Sequence, residues 1–148
     1  MKKLRDIMRP GFMTTVGRDA TVLEASRAMA AHNVGIVAVI DDEQLVGLFS
    51  ERDVVRRVVD RGLDPARTLV GAVMTTELVI ADPDEDYRSA MRTMDEVNIR
   101  HLPVVSAGRL LSMLSIRDLM RVEIGDQVEE LQHLHAYLYH PSPIPSPR

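Results

Sequence analysis

From Phe12 onward the chain changes its hydrophobic period in a fixed order. An extended run, Phe12 to Val16, leads into a segment whose apolar positions Val22, Ala25 and Met29 fall three or four apart, the spacing that keeps side chains on one face of a helix. Asn33 stands at the exit of that predicted helix, where a left-handed residue is tolerated. Two short apolar runs follow, Ile36 to Ile40 and Leu45 to Phe49, joined by the polar turn Asp41-Asp42-Glu43-Gln44, and these predict paired strands. Their near-continuous apolar character predicts burial on both faces. Ser50 then opens a closing helix that stops near Gly62.

The same order returns at a constant offset of 118 − 53 = 65 residues. Without a gap the pairs Asp19/Asp84, Ala25/Ala90, Met29/Met94, Asn33/Asn98, Val39/Val104, Ser50/Ser115, Arg52/Arg117, Asp53/Asp118 and Arg56/Arg121 are identical. The second copy therefore predicts an extended run at Leu78 to Ala81, a helix through Tyr87, Ala90, Met91 and Met94, and strands at Leu102 to Val105 and Leu110 to Leu114 around Ser106-Ala107-Gly108. Upstream, Met8 matches Met74 at an offset of 66, so one residue is inserted near Pro10 or Gly11.

Each unit thus reads strand, helix, strand, strand, helix. Three strands and about 60 residues bury too little to be comfortable alone, so the copies are expected to pack together about a pseudo-two-fold axis. The expected organisation is repeat 1 over 1–63, a linker over 64–68 carrying Pro65, repeat 2 over 69–124, a carboxy-terminal amphipathic helix over 125–140 and a flexible tail over 141–148. Val128, Leu131, Leu134 and Leu138 form the apolar stripe of that last helix, which needs a partner surface in the same chain or another. The fold class is mixed α/β (α+β).

Composition narrows the function. The 148 residues are 45% hydrophobic, enough for a core, and contain no cysteine, which removes disulfides, thiolate zinc sites and cysteine nucleophiles and fits a cytoplasmic setting. A net charge of −4 and 3% aromatic residues disfavour nucleic acid as the main partner. No apolar run reaches the roughly 20 residues that span a bilayer, and Met1 to Pro10 is too charged for a secretory signal. No phosphate loop, H-E-x-x-H or G-x-S-x-G motif is present. His133, His135 and His140 do not make a metal site, since 133 and 135 point to different helix faces.

In the paired copies, Asp6-Ile7-Met8 and Ala72-Val73-Met74 lead, and Gly47-Leu48-Phe49-Ser50-Glu51-Arg52-Asp53 and Asn98-Ile99-Arg100-His101-Leu102-Pro103-Val104-Val105 are the most telling stretches. From Leu4 to Glu123 the chain resembles the cystathionine-beta-synthase (CBS) domain family, in tandem as a Bateman module. The resemblance implies a regulatory, non-catalytic pair that binds an adenosine-containing ligand, AMP, ADP, ATP or NAD, between its repeats, and that forms a flat homodimer.

It also implies site residues. Each site takes its base-facing wall from one copy and a ribose-binding aspartate from the other: Thr14, Val34 and Gly35 with Ser115, Arg117 and Asp118, and Val79, Ile99, Arg100 and His101 with Ser50, Arg52 and Asp53. An aspartate at a helix start accepts hydrogen bonds from ribose hydroxyls, the serine before it marks a helix mouth that suits phosphate, and the arginine adds a phosphate-binding fork. Arg100 and His101 replace Gly35 and Ile36, so the Asp53 site is expected to bind more tightly. Ser112, standing where Gly47 stands, puts occupancy of the second-copy site in question.

Plainer roles compete. Ser50-x-x-Asp53 and Ser115-x-x-Asp118 also have the form of helix caps, which contribute about 0.5–2 kcal/mol without any ligand. Two other functions fit the same residues: a small nucleotide-acting enzyme, for which His101 with Asp53 is the nominated acid/base pair, and a ligand-free scaffold that binds a protein through the carboxy-terminal helix.

Overall fold

Hydrogen-bonded caps set the frame of the first repeat. The computed structural model describes residues 2–9 and 13–139. Phe12, the insertion near Pro10 or Gly11, His140 and the expected tail lie outside the described residues. In chain order the first half holds α1 (Leu4–Ile7), β1 (Thr15–Gly17), α2 (Val22–His32), β2 (Ile36–Asp41), β3 (Gln44–Ser50) and α3 (Glu51–Asp53), which runs on as a π-helical turn over Val54–Val59. The second half holds α4 (Val70–Val73), α5 (Tyr87–Val97), β4 (His101–Ser106), β5 (Arg109–Ser115) and α6 (Ile116–Tyr139). α2 starts on a capping box between Thr21 and Glu24, and both α2 and α5 end on a left-handed asparagine, Asn33 at φ 51° and Asn98 at φ 56°.

In repeat 1 the sheet order is β1-β2-β3, with β1 parallel to β2 and β2 antiparallel to β3. In repeat 2 β4 and β5 form a two-stranded antiparallel sheet, and the run predicted at Leu78 to Ala81 contracts to one bridge, Ala81 with Val104. Proline explains the difference. Ala38 donates its N–H to Thr14 O at 3.1 Å, whereas the residue in the matching place of β4 is Pro103, which has no N–H to offer Val79.

The two cores are exchanged at their edges. Leu4 of α1, fully buried, belongs to the cluster of repeat 2 with Ala81, Tyr87, Ala90, Leu102 and Leu119. Val70 and Val73 of α4 belong to the cluster of repeat 1 with Val22, Met29, Val39 and Phe49. Each leading helix docks by the same pair of bonds: Leu4 N–H to Glu85 O (2.9 Å) and Arg5 N–H to Pro83 O (2.8 Å), against Val70 N–H to Ala20 O (2.8 Å) and Gly71 N–H to Arg18 O (2.9 Å). The repeats therefore stabilise one another through covalently exchanged helices as well as through the contact of β3 with β5.

α6 is a single helix, without a break where the closing helix of repeat 2 was expected to give way to a separate one at 125. Its first half is anchored. The Tyr87 hydroxyl lies 2.8 Å from Glu123 Oε2 and 2.6 Å from Asp126 Oδ2, and Asp126 also takes Lys2 Nζ at 2.7 Å. Burial and these carboxylates push the Tyr87 hydroxyl well above its ordinary pKa. Among the described residues no helix is long and apolar enough to cross a membrane.

Candidate functional site

A cleft is built where strand entries and a helix mouth converge. Asn33 turns the chain out of α2, with Val34 N–H closing on Met29 O at 3.0 Å, and this delivers Val34 and Gly35 to the start of β2. In repeat 2, His101 begins β4 directly opposite Ser115, and Arg100 O accepts the Ile116 N–H at 2.8 Å. Between them is a cavity of about 730 Å³, within the range of roughly 300–1,000 Å³ usual for small-molecule sites.

Six of the expected residues meet there: Thr14, Val34 and Gly35 from repeat 1, Ser115, Arg117 and Asp118 from repeat 2. Arg100 and His101 line the same cavity, so their expected grouping with Asp53 is not the grouping of this cleft. Ser50, Arg52, Asp53, Val79 and Ile99 are not among its lining residues. Val79 and Ile99 instead pack against the core of repeat 2. The nominated acid/base pair of His101 with Asp53 is replaced by a proximity of His101 to Asp118, whose charge raises the imidazole pKa while burial, the stronger influence, lowers it.

Both serine–aspartate pairs act as caps, as their spacing allowed. Asp53 Oδ2 accepts Ser50 N–H at 3.0 Å and Ser50 Oγ–H at 3.1 Å, while Asp53 N–H donates to Ser50 Oγ at 3.2 Å. Asp118 Oδ2 accepts Ser115 N–H at 2.9 Å, and Asp118 N–H donates to Ser115 Oγ at 3.1 Å. The Ser50 hydroxyl thus gives its proton to its own cap, whereas Ser115 Oγ is used there as an acceptor. The Ile116 N–H is also taken, by Arg100 O.

The two aspartates differ in what remains. Asp53 Oδ1 is 3.5 Å from Arg57 Nε, and Arg57 Nη1 also donates to Val73 O (3.1 Å) and Met74 O (3.0 Å), fixing the segment that leads into repeat 2. That segment lies across β3: Leu48 and Thr75 exchange backbone hydrogen bonds, and a Cβ on Gly47 would come within 2.4 Å of Met74 Sδ. In repeat 2 the place of Arg57 is held by Val122, which packs on the core. Asp118 therefore has no ion-pair partner within reach among the described residues, and Oδ1 keeps its lone pairs free.

Sequence reasoning passed over several walls of the cleft: Met13, His32, Asn33, Ala38, Met113 and Ile116. It also passed over the exchange of Arg57 for Val122, although the offset of 65 lays the two side by side. Ser112 does not enter the large cavity. It is buried and lines a smaller one of about 310 Å³ with Arg9, Arg121 and Asp118, so that Asp118 borders both. Among the described residues no cluster of three or more potential ligands is arranged to hold a metal ion.

The internal repeat has a counterpart in known proteins. A family model described as the CBS domain matches residues 4–60 and again residues 70–125. The chain belongs to the CBS-domain family. Over 125 residues this CBS pair is 36% identical to the CBS domain-containing protein CBSX3, mitochondrial, of Arabidopsis thaliana, a match that takes in 81% of the chain and 61% of that relative's length. Among solved structures, a putative signal-transduction protein with CBS domains from Burkholderia ambifaria MC40-6 superposes with a TM-score of 0.75 at 30% identity, covering 84% of this chain and 93% of that one. The CBS domain pair of protein MJ0100, solved in complex with 5'-methylthioadenosine and S-adenosyl-L-methionine, superposes with a TM-score of 0.75 at 21% identity, covering 85% and 98%. At that identity the likeness is one of fold.

Proposed function

We propose that this CBS pair is a regulatory module that takes an adenine nucleotide, AMP, ADP, ATP or NAD, into the cavity bordered by Asp118. The observation that carries the reading is the meeting of Thr14, Val34 and Gly35 with Arg117 and with Asp118, a carboxylate that has no ion-pair partner among the described residues. Adenine is to lie against Val34, Gly35 and Ala38, and the ribose hydroxyls are to donate to Asp118 Oδ1, a charge-assisted pairing. The phosphates then meet Arg100 and Arg117, with Arg9 and Arg121 in the adjoining smaller cavity. The adenosine ligands of protein MJ0100 are of the same chemical class.

Asp53 is the weaker ribose acceptor, because Arg57 already neutralises it. This reverses the preference that the charge of Arg100 suggested, since Arg100 lines the Asp118 cleft. Regulation follows if the nucleotide favours one arrangement of the two repeats, or of two modules, over another. A homodimer supplies the second module. Supporting it are two apolar pairs at matching places in the repeats, Val55 and Val59 (60% and 62% exposed) and Met120 and Ile124 (48% and 57%).

Calorimetric titration of the full chain with AMP, ADP, ATP and NAD tests the proposal. Saturable binding that Asp118→Ala weakens, with the variant folded, supports it; a folded protein that binds none of the four contradicts it. Chromatography of each nucleotide after prolonged incubation separates a sensor, which returns it unchanged, from an enzyme.

A further inference from the structure

The outer half of α6 carries an apolar seam that neither repeat covers. Every described side chain from 127 to 138 is exposed, so neither repeat buries the apolar residues of that stretch. Leu131, Leu134 and Leu138 are 65%, 54% and 60% exposed, and Ile124 is 57% exposed. With Gln127 they follow intervals of three, four, three and four, the alternation that places side chains at the a and d positions of a coiled coil. Val128, 45% exposed, borders this seam on one side, and the a and d spacing itself fits a helix of the same kind.

Flanking charges choose the direction. Ile124, Leu131 and Leu138 take the a position, so Glu123 and Glu130 fall on one flank of the seam and Val128 and His135 on the other. In an antiparallel pair like flanks meet, and Glu130, which among the described residues of its own chain has only the distant Arg88 Nη2 at 3.9 Å, faces glutamate across the seam. In a parallel pair Glu130 meets the imidazole of the partner's His135, which relieves that repulsion.

We infer that two copies of this chain join by parallel pairing of the outer halves of α6, with Ile124, Leu131, Leu134 and Leu138 in the seam. The inference rests on the homodimer reading for its second copy and says where that dimer is held; it does not depend on the cavity. The seam begins at Ile124, one of the exposed apolar residues already noted on repeat 2, so the two surfaces are continuous.

Because the chain contains no cysteine, one introduced thiol reports on the geometry. In a parallel pair residue 138 meets its own copy across the seam, within the roughly 4.4–6.8 Å between Cα atoms that a disulfide requires. Leu138→Cys in the full chain, mildly oxidised at micromolar concentration, is expected to run mostly as a covalent dimer. Glu129→Cys, on the outer face, is expected to stay largely monomeric on the denaturing gel, and adding Leu131→Asp to Leu138→Cys is expected to cut cross-linking at least tenfold without changing the circular dichroism of the repeats. A native mass of one chain at all concentrations overturns both this inference and the homodimer reading. A native dimer in which position 138 does not cross-link, or in which 129 cross-links equally, overturns this inference alone.

Discussion

Arg57 reaches back one turn to Asp53, with Nε 3.5 Å from Oδ1, and the residue in its place beside Asp118 is Val122. One difference in side chain thus divides two otherwise matching helix starts into a neutralised carboxylate and an available one.

Placing an arginine beside the available carboxylate should close the site. Val122→Arg is expected to weaken nucleotide binding about tenfold or more, since a charge-assisted bond of about 1.5–3 kcal/mol then competes with the ribose hydroxyls. Val122 packs against the core, so thermal unfolding must be measured alongside affinity. Loss of affinity in a variant that keeps its fold and its response to Asp118→Ala would speak against the arginine as competitor.

The exchanged leading helices make the repeats one cooperative unit. Leu4→Ala removes a fully buried side chain from the core of repeat 2, although Leu4 stands at the amino end of repeat 1, and should cost about 2–5 kcal/mol. Denaturant unfolding should show a single transition shifted to lower midpoint. A second transition, with repeat 1 surviving, would separate the two cores that the fold joins. By the same reasoning residues 1–63 alone lack Val70 and Val73 and should not fold.

His101 gives the site a dependence on pH with a definite sign. Burial holds its pKa below 6.5 against the opposing charge of Asp118, with Arg100 lowering it further, so the imidazole is neutral in the free protein at neutral pH. Its folded pKa is depressed, hence it destabilises the ligand-free protein as pH falls below the unfolded value. A phosphate in the cleft favours the charged form, so binding should take up a proton and tighten as pH falls below neutral. Melting curves with and without AMP check this: the stabilisation by nucleotide should grow on acidification, and His101→Gln should flatten the trend.

Much of this architecture was legible in one chain. The offset of 65 residues placed both repeats, and six residues that the family resemblance implied for one site line the cleft. What escaped depends on partners distant in sequence. Pro103 looks like an ordinary strand residue until its missing N–H is set against Ala38. Leu4 looks like part of the repeat it precedes until its helix is found in the other core. Arg100 and His101 were assigned to Asp53 by symmetry, yet His101 is paired across the strand with Ser115, which keeps both residues at the mouth of their own repeat's helix.

The most direct measurement is calorimetric titration of AMP into the wild-type chain, Asp118→Ala and Asp53→Ala, each shown to be folded. Both substitutions remove the N3 half of a capping box while the serine cap remains, so both should lower stability modestly, but only the first should weaken binding tenfold or more. Equal affinity in wild type and Asp118→Ala, or a loss confined to Asp53→Ala, would contradict the account.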